Sequence, residues 1–139
     1  MNSYRFSELK VGIKESFTIE LDMLKLLQFQ KISGDCNPLH TDDLYAHKKG
    51  FESRVAHGML TSSFYSTFVG VYLPGKYSLL QGIDIGFIKP VYIGDSLTVS
   101  GEIAYINYAY RQIEIKAIIK NQKGEKISRA KIKVGVVDE

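Results

Sequence analysis

The C-terminal half of the chain alternates apolar and polar residues, so that every second side chain is apolar. Alternation with a period of two is typical of strands that bury one face and expose the other. Short segments rich in Gly, Asn and Asp separate these stretches and are suited to turns. The pattern predicts four consecutive strands of an antiparallel sheet, with alternating residues at 83–87, 97–105, 113–119 and 130–136.

The N-terminal half mixes a short strand with helices. Apolar residues recur at helical spacing up to Gly34, and glycine is suited to the left-handed geometry that ends a helix. Thr41 precedes a second, shorter helical pattern and is its expected N-cap. The elements predicted here are a strand at 16–20, helices at 21–33 and 42–48, and a loop at 35–40 that Pro38 stiffens.

The longest apolar stretch, residues 58–73, predicts a helix that Pro74 and Gly75 close. Its apolar residues lie on nearly all sides, which is typical of a buried helix. A buried helix and a sheet with one apolar face can cover each other. The simplest fold is therefore α+β, with an antiparallel sheet wrapped around this central helix.

Composition indicates an ordinary globular protein. The 139 residues are enough for one domain, which we place at residues 1–139. Hydrophobic residues make up 45% of the chain and charged residues 24%, which argues against a disordered or fibrous protein. The net charge of +3 is too small and too scattered to predict nucleic-acid binding.

The compartment is indicated by cysteine usage and by apolar runs. Cys36 is the single cysteine, which excludes an internal disulfide and fits a reducing compartment. The first residues lack the apolar core of a signal peptide. No run approaches the roughly 18 to 20 apolar residues that a membrane span needs. We therefore expect a cytoplasmic protein without a membrane partner.

Candidate chemistry lies in the stretch Ile32–His40. A carboxylate, Asp35, and an imidazole, His40, stand five positions apart on a segment containing Gly, Asn and Pro. Such a tight segment can direct both side chains to one point, as acid/base work on a water molecule requires. Both residues could equally be structural, with Asp35 forming the turn and His40 serving as a hydrogen-bonded partner.

This stretch resembles the signature of the MaoC-like dehydratases, which include the (R)-specific enoyl-CoA hydratases. That signature reads apolar, Ser/Thr, Gly, Asp, any residue, Asn, Pro, apolar, His. Residues 32–40 match every fixed position, and Cys36 falls at the variable one. Residues 55–60 resemble the second block of the family and residues 87–95 the third. The resemblance covers about residues 20–137 in order and spacing.

The resemblance implies a hot-dog fold and a homodimer. It implies syn hydration of trans-2-enoyl-CoA to (R)-3-hydroxyacyl-CoA, with Asp35 and His40 holding the water between them. The partner would be an acyl-CoA or an acyl carrier protein thioester. CoA is then part of the substrate, and neither a cofactor nor a metal is expected.

Three further residues, Gly58, Ser66 and Asn37, are candidates at or beside the substrate. Gly58 begins the buried helix, where unpaired N–H groups and the positive end of the helix dipole suit the thioester oxygen. In relatives the matching glycine N–H is the oxyanion donor, although Gly58 could simply ease packing. Ser66 matches a serine near the site of related hydratases, or it is an ordinary helix residue. Asn37 is expected to fix the loop rather than touch substrate. His57 either supports the site or caps the helix.

Two other functions were weighed against hydration. A hot-dog thioesterase often carries a carboxylate on the central helix, and residues 58–73 contain none. A non-catalytic acyl-binding subunit would be expected to have lost Asp35 or His40. A nucleophilic role for Cys36 has no base to support it.

The size of the acyl pocket is expected to follow from the central helix. Phe64, Tyr65 and Phe68 are bulky and are expected along the acyl tunnel, where each ring would shorten it. The small residues Thr61, Ser62, Ser63 and Ser66 could instead open the opposite side. The sequence therefore predicts a preference for short acyl chains.

Overall fold

A computed structural model describes residues 1–139 and contains five strands and four α-helices. A 3₁₀ turn at Phe6–Glu8 precedes the first strand. In chain order the elements are β1 (Lys14–Glu20), α1 (Met23–Ser33), α2 (Pro38–Thr41), α3 (Asp43–Lys48), α4 (Gly58–Thr67), β2 (Ser78–Phe87), β3 (Ser96–Asn107), β4 (Gln112–Lys120) and β5 (Lys126–Val136).

All five strands belong to one antiparallel sheet in the order β1-β3-β4-β5-β2. The three C-terminal strands pair with their chain neighbours, as the short turns between them require. The first two strands lie at the two edges of the sheet, and β2 pairs with β5, the last strand. The four predicted C-terminal strands are confirmed, and the predicted N-terminal strand joins the same sheet.

Helix α4 packs against the inner face of the sheet. Phe68, directly after α4, lies so close to β3 that a Cβ on Gly101 would stand 2.9 Å from its ring. Farther along the sheet, the hydroxyl of Tyr65 lies 2.8 Å from that of Ser128 on β5. The predicted arrangement of a sheet around one central helix is confirmed.

The predicted helix over residues 58–73 needs two corrections. The α-helical part ends at Thr67, and Phe68–Tyr72 continue it as a π-helical turn. The helix is also not apolar all round, because Met59 is 64% exposed. Two exposed serines at positions 63 and 66 continue that face. One side of α4 is therefore uncovered within a single chain.

Residues 35–40 are not wholly a loop, because Pro38–Thr41 form the helical turn α2. Proline is preorganised for the first position of a helix. The side chain of Asn37 accepts a hydrogen bond from the backbone N–H of Leu39 at 2.9 Å and caps the turn. The segment is therefore more rigid than a loop that proline alone stiffens.

The N-cap of α3 is Asp42, not Thr41 as the sequence predicted. The Asp42 carboxylate accepts from the N–H of Tyr45 at 3.1 Å. Thr41 still belongs to α2, where its hydroxyl lies 3.3 Å from the carbonyl oxygen of Asn37. The extra turn at α2 moves the boundary by one residue. None of the helices has the length and hydrophobicity that crossing a membrane would take.

Candidate active site

The segment after α1 folds tightly around Asp35. α1 ends at Gly34, whose φ of 75° lies in the left-handed region. The hydroxyl of Ser33 accepts from the N–H of Asp35 at 3.1 Å. The Oδ1 atom of Asp35 accepts from the N–H of Asn37 at 3.2 Å, a turn typical of Asp. The other carboxylate oxygen, Oδ2, is left to face His40.

Asp35 and His40 come together without a direct hydrogen bond. Oδ2 of Asp35 and Nε2 of His40 are 3.9 Å apart. The side chain of Asp35 is 48% exposed and that of His40 is 16% exposed. Two acceptor atoms at this separation can both reach one water molecule at about 2.8 Å. The geometry therefore suits a pair that shares a water.

The orientation of the His40 ring follows from its second nitrogen. Nδ1 lies 2.7 Å from the carbonyl oxygen of Val55. A carbonyl oxygen can only accept, so Nδ1 carries the proton in this bond. In the neutral ring Nε2 then keeps its lone pair, which faces Asp35. That is the form a proton acceptor needs.

Residues 55–56 connect this site to a neighbouring segment. The N–H of Val55 donates to the carbonyl of Leu39 at 3.0 Å, and the N–H of Ala56 donates to that of Val91 at 2.8 Å. Val55 also pairs with Tyr92 in an isolated β-bridge. The three stretches that resemble the family's blocks therefore meet in space.

His57 lies directly behind the pair. It is 1% exposed, and its Nε2 is 2.9 Å from the carbonyl oxygen of Asp35. Its ring stacks on that of His40, with centroids 4.0 Å apart and planes 27° apart, and lies 4.9 Å from the ring of Phe29. It stands at the N-cap position of α4, but its side chain makes no capping hydrogen bond, so a cap provided by the imidazole is wrong.

Gly58 begins α4 beside the same site. Its backbone N–H donates to no protein acceptor, as is usual for the first turn of a helix. A Cβ at this position would stand 2.9 Å from Cε1 of Phe87. Sequence analysis did not single out Phe87, although it opens the third block. Only glycine fits beneath that ring without displacing it.

His40 and Gly58 face one cavity of about 280 Å³. Phe64, Tyr65 and Phe68 are not among the residues that line it, and all three belong to the buried core. In the single chain they do not stand along this cavity, as the sequence predicts for the acyl tunnel. The other lining residues are mostly apolar: Phe51, Val55, Ala56, Thr61, Phe87, Ile88, Lys89, Pro90, Val91 and Ile127.

The remaining predicted residues lie outside this cavity. Asn37 is exposed and its side chain caps α2. Ser66 is exposed on the uncovered face of α4, two turns beyond Gly58. Cys36 is a free, exposed thiol. The single chain brings Asp35 to His40 and places His40 and Gly58 at one cavity, which Asp35 itself does not line. It leaves Ser66 apart from them.

The same cluster of side chains could also bind a metal ion. One donor atom each of Asp35, His40 and His57 lie within 4.8 Å of one another. Both histidines already use one ring nitrogen on a backbone carbonyl. The remaining nitrogen of His57, Nδ1, is buried. The pair that can meet a water molecule is therefore Asp35 and His40.

Comparison with known proteins identifies the family. A family profile described as a MaoC like domain matches residues 8–127. The chain belongs to the MaoC-like dehydratase family. This confirms the resemblance that the three blocks suggested.

Relatives and solved structures agree with this assignment. The (R)-specific enoyl-CoA hydratase of Aeromonas caviae is 37% identical over 95 residues, which cover 68% of this chain and 71% of that protein. The mitochondrial 3-hydroxyacyl-[acyl-carrier-protein] dehydratase of Arabidopsis thaliana is 37% identical over 114 residues, covering 81% of this chain but only 64% of that protein. The unliganded R-hydratase from Pseudomonas aeruginosa superposes with a TM-score of 0.90 at 30% identity, covering 97% of this chain and 86% of that chain.

These matches bear on two predictions beyond the family. The R-hydratase neighbours confirm the hot-dog fold. The curated relatives are hydratases and dehydratases, which confirms the predicted hydro-lyase class.

Proposed function

We propose that this MaoC-like protein hydrates trans-2-enoyl-CoA to (R)-3-hydroxyacyl-CoA, and catalyses the reverse dehydration. The observation that carries the proposal is the separation of 3.9 Å between Asp35 and His40. The atoms are placed to share a water beside a cavity that also presents the N–H of Gly58.

The pair directs the addition of both the hydroxyl group and the proton of the water. As the water oxygen bonds to the β-carbon of the enoyl group, the pair accepts one of its protons. The electrons of the double bond move onto the thioester oxygen, giving an enolate. The pair then returns a proton to the α-carbon. Because Asp35 and His40 face the substrate from one side, hydroxyl and hydrogen add to the same face.

The enolate oxygen is assigned to the N–H of Gly58. That donor has no protein acceptor and stands at the positive end of α4. A preorganised donor of this kind contributes roughly 100- to 1000-fold to the rate in other enzymes. The Phe87 ring above Gly58 keeps the donor in an apolar surrounding, where its interaction with the enolate oxygen is stronger.

The substrate class is supported by the relatives. The Aeromonas protein is named for an enoyl-CoA and the Arabidopsis protein for an acyl-carrier-protein substrate. We assign CoA as the carrier and make the carrier protein an arm of the test. The acyl group would enter the cavity beside His40, whose lining is mostly apolar.

A second copy of the chain is the proposed partner. Leu80, Ile83 and Phe87 on the edge strand β2 are exposed apolar residues, as is Met59 on α4. An apolar sheet edge of this kind is normally covered. A homodimer would cover it and would bring the exposed Ser66 against the partner, where we retain it as a substrate contact.

The remaining assignments complete the proposal. We place Asn37 as the residue that shapes the loop beside the substrate, through its cap on Leu39. Residues 1–139 act as one domain, since the buried apolar residues form one main cluster. A cytoplasmic location suits the free thiol of Cys36.

Loss of the conjugated enoyl absorbance of crotonyl-CoA tests the function, with a chiral assay of the product. Asp35→Asn should lower kcat/KM by about 100- to 10,000-fold, because an amide cannot exchange the proton. Asp84→Asn on the outer face of β2 is the matched control and should be unchanged. An Asp35→Asn enzyme within a few-fold of wild type, or an (S) product, would contradict the proposal. A parallel assay with crotonyl-carrier protein decides the carrier.

A further inference from the structure

We infer that His57 is a positioning residue, which fixes the Asp35 loop and the His40 ring through its own neutral Nε2–H form. The inference rests on the proposed hydration. It assigns work to a buried histidine that does not face the cavity.

The first link is the bond between His57 and the backbone of Asp35. Nε2 of His57 lies 2.9 Å from the Asp35 carbonyl oxygen. This oxygen can only accept, so Nε2 carries a proton. The bond ties the loop between α1 and α2 to the residue that precedes α4. It therefore sets where the carboxylate of Asp35 stands relative to Gly58.

The second link is the stack of the two imidazoles. The rings of His57 and His40 are 4.0 Å apart at 27°, so neither can rotate freely. Phe29 holds the His57 ring at 4.9 Å on another side. The carbonyl of Val55 holds Nδ1 of His40, and His57 holds the face of the ring. Together these contacts point Nε2 of His40 toward Asp35.

The tautomer of His57 follows from its hydrogen bonding. Nδ1 of His57 is buried and has no hydrogen-bond partner. A proton on this atom would be a buried donor without an acceptor, which is costly. The two stacked rings therefore hold opposite tautomers, with hydrogen on Nε2 in His57 and on Nδ1 in His40.

The third link is through the backbone of His57 itself. Its carbonyl oxygen accepts from the N–H groups of Leu60 and Thr61 at 3.0 and 3.2 Å. The first turn of α4, and with it the Gly58 N–H, is built on this residue. A shift of His57 would displace all three catalytic groups together.

Two variants separate the effect of the ring stack from the effect of the N–H donor of His57. His57→Phe keeps the stack and removes the donor, whereas His57→Gln can place an amide N–H near Nε2 and removes the stack. Because a displacement of about 1 Å can cost 100-fold, we expect His57→Phe to lower kcat by about 10- to 100-fold, with KM within about three-fold. His57→Gln should recover part of this loss. His47→Phe and His47→Gln, at an exposed position on α3, are matched controls and should retain wild-type kcat.

A spectroscopic measurement on the wild-type protein keeps the inference testable if a variant does not fold. The chain has three histidines, so long-range ¹H–¹⁵N spectra of the wild type and of the two Gln variants assign each ring. His57 should show the Nε2–H tautomer and His40 the Nδ1–H tautomer. The same tautomer in both rings would overturn the inference.

The outcomes also separate this inference from the function it rests on. If Asp35→Asn is inactive and His57→Phe keeps kcat within three-fold of wild type, the positioning role fails and the proposed function stands. If Asp35→Asn is itself active, the proposed function fails. A loss in His57→Phe that appears only in KM would also overturn the positioning role.

Discussion

At the scale of single residues, the distance between Asp35 and His40 determines what each can do. Atoms 3.9 Å apart do not form a hydrogen bond with each other, so both side chains keep these atoms available for another partner. Each is held from behind by backbone: Asp35 by the N–H of Asn37, and His40 by the carbonyl of Val55. The carboxylate and the imidazole are therefore free to act together on a third molecule.

Joint action predicts a particular result in a double-mutant cycle. His40→Ala should reduce kcat/KM about as strongly as Asp35→Asn, because either change stops the pair from activating the shared water. The double variant should then lose much less than the product of the two separate losses. Steady-state hydration of crotonyl-CoA by the four proteins measures this. Fully multiplicative losses would mean that the two residues act independently.

Gly58 has a steric reason and a chemical reason to be glycine, and substitutions can separate them. Gly58→Ala places a methyl group 2.9 Å from Cε1 of Phe87, so the ring or the helix must move, and kcat should fall. Adding Phe87→Leu should relieve the clash and recover thermal stability. Differential scanning fluorimetry follows the stability and the hydration assay the activity. No loss of stability in Gly58→Ala would show that the ring yields without cost.

The sequence predicts the residues of the candidate site but not the contacts between them. Asp35, His40 and Gly58 are predicted because short motifs carry their spacing. The stack of His57 on His40 was not found, because it joins positions on separate elements that no local pattern relates. Phe87 over Gly58 was missed for the same reason.

At the scale of elements, α4 is anchored to the sheet by a buried pair of hydroxyls. Tyr65 and Ser128 are both fully buried, and their hydroxyl oxygens are 2.8 Å apart. Burial raises the pKa of Tyr65 to about 12, because the ionised phenol would be poorly solvated there. The hydrogen bond with Ser128 opposes this rise without cancelling it.

The raised pKa gives a signed prediction for alkaline pH. The unfolded phenol titrates near 10.0, below the folded one, so the unfolded state loses its proton first. The contribution of Tyr65 to stability should be complete below pH 10 and be lost as the pH rises through about 12. Tyr65→Phe should lack this decline, although at neutral pH it costs about 1 to 3 kcal/mol by leaving the Ser128 hydroxyl unpaired. Urea unfolding of both proteins between pH 8 and 11.5 tests this, and parallel pH curves would contradict it.

The elements predicted from the sequence are wrong in three details: the exposed face of α4, the turn α2 and the cap of α3. Periodicity predicts the central helix, but it does not show that Met59 is exposed, because an exposed apolar residue looks the same in the sequence as one in the core. The turn at Pro38–Thr41 was predicted as loop because four residues are too few for a periodic pattern. Thr41 was assigned the cap that Asp42 provides, one residue later.

At the scale of the whole molecule, the sheet has an uncovered apolar side at β2. Ile83 pairs with the buried Ile132 of β5, so its side chain points to the inner face, yet it is 42% exposed. Helix α4 covers the central strands and leaves this edge uncovered within the single chain. No sequence pattern indicates which edge is left open, because inner-face residues alternate in the same way whether a helix covers them or not.

The uncovered edge predicts a dimer in solution. Light scattering at micromolar concentration should give twice the chain mass of 15.7 kDa. Ile83→Glu should shift the protein toward monomer and reduce hydration, because it places a charge in the covered face. Val11→Glu, at an exposed apolar residue far from β2 in the sequence, is the matched control. A monomeric wild-type protein with full activity would contradict the proposed interface.

The cavity also predicts a preference for short acyl chains, for a different reason than the sequence suggested. Its volume of about 280 Å³ lies just below the roughly 300 Å³ at which ligand pockets commonly begin. We expect kcat/KM to peak at crotonyl- or hexenoyl-CoA and to fall for dodecenoyl-CoA.

Phe51 and Phe64 give a matched pair of variants for this preference. Phe51→Ala should move the optimum toward longer chains, since Phe51 lines the cavity. Phe64→Leu should lower stability without moving the optimum, since Phe64 is buried in the core. A wild-type profile still rising at dodecenoyl-CoA would mean that the acyl group extends elsewhere.

The pairing of β2 with β5 has a consequence for the order in which the protein is made. β2 is complete at Phe87, but its partner strand ends at Val136, so β2 waits until that strand has been added. At about 5 to 20 residues per second, the nascent chain carries an unpaired apolar strand for several seconds. Phe87 takes its place over Gly58 only when β5 arrives. The proposed catalytic site therefore forms only after β5 is added, and a chain cut short before β5 would be both inactive and prone to aggregate.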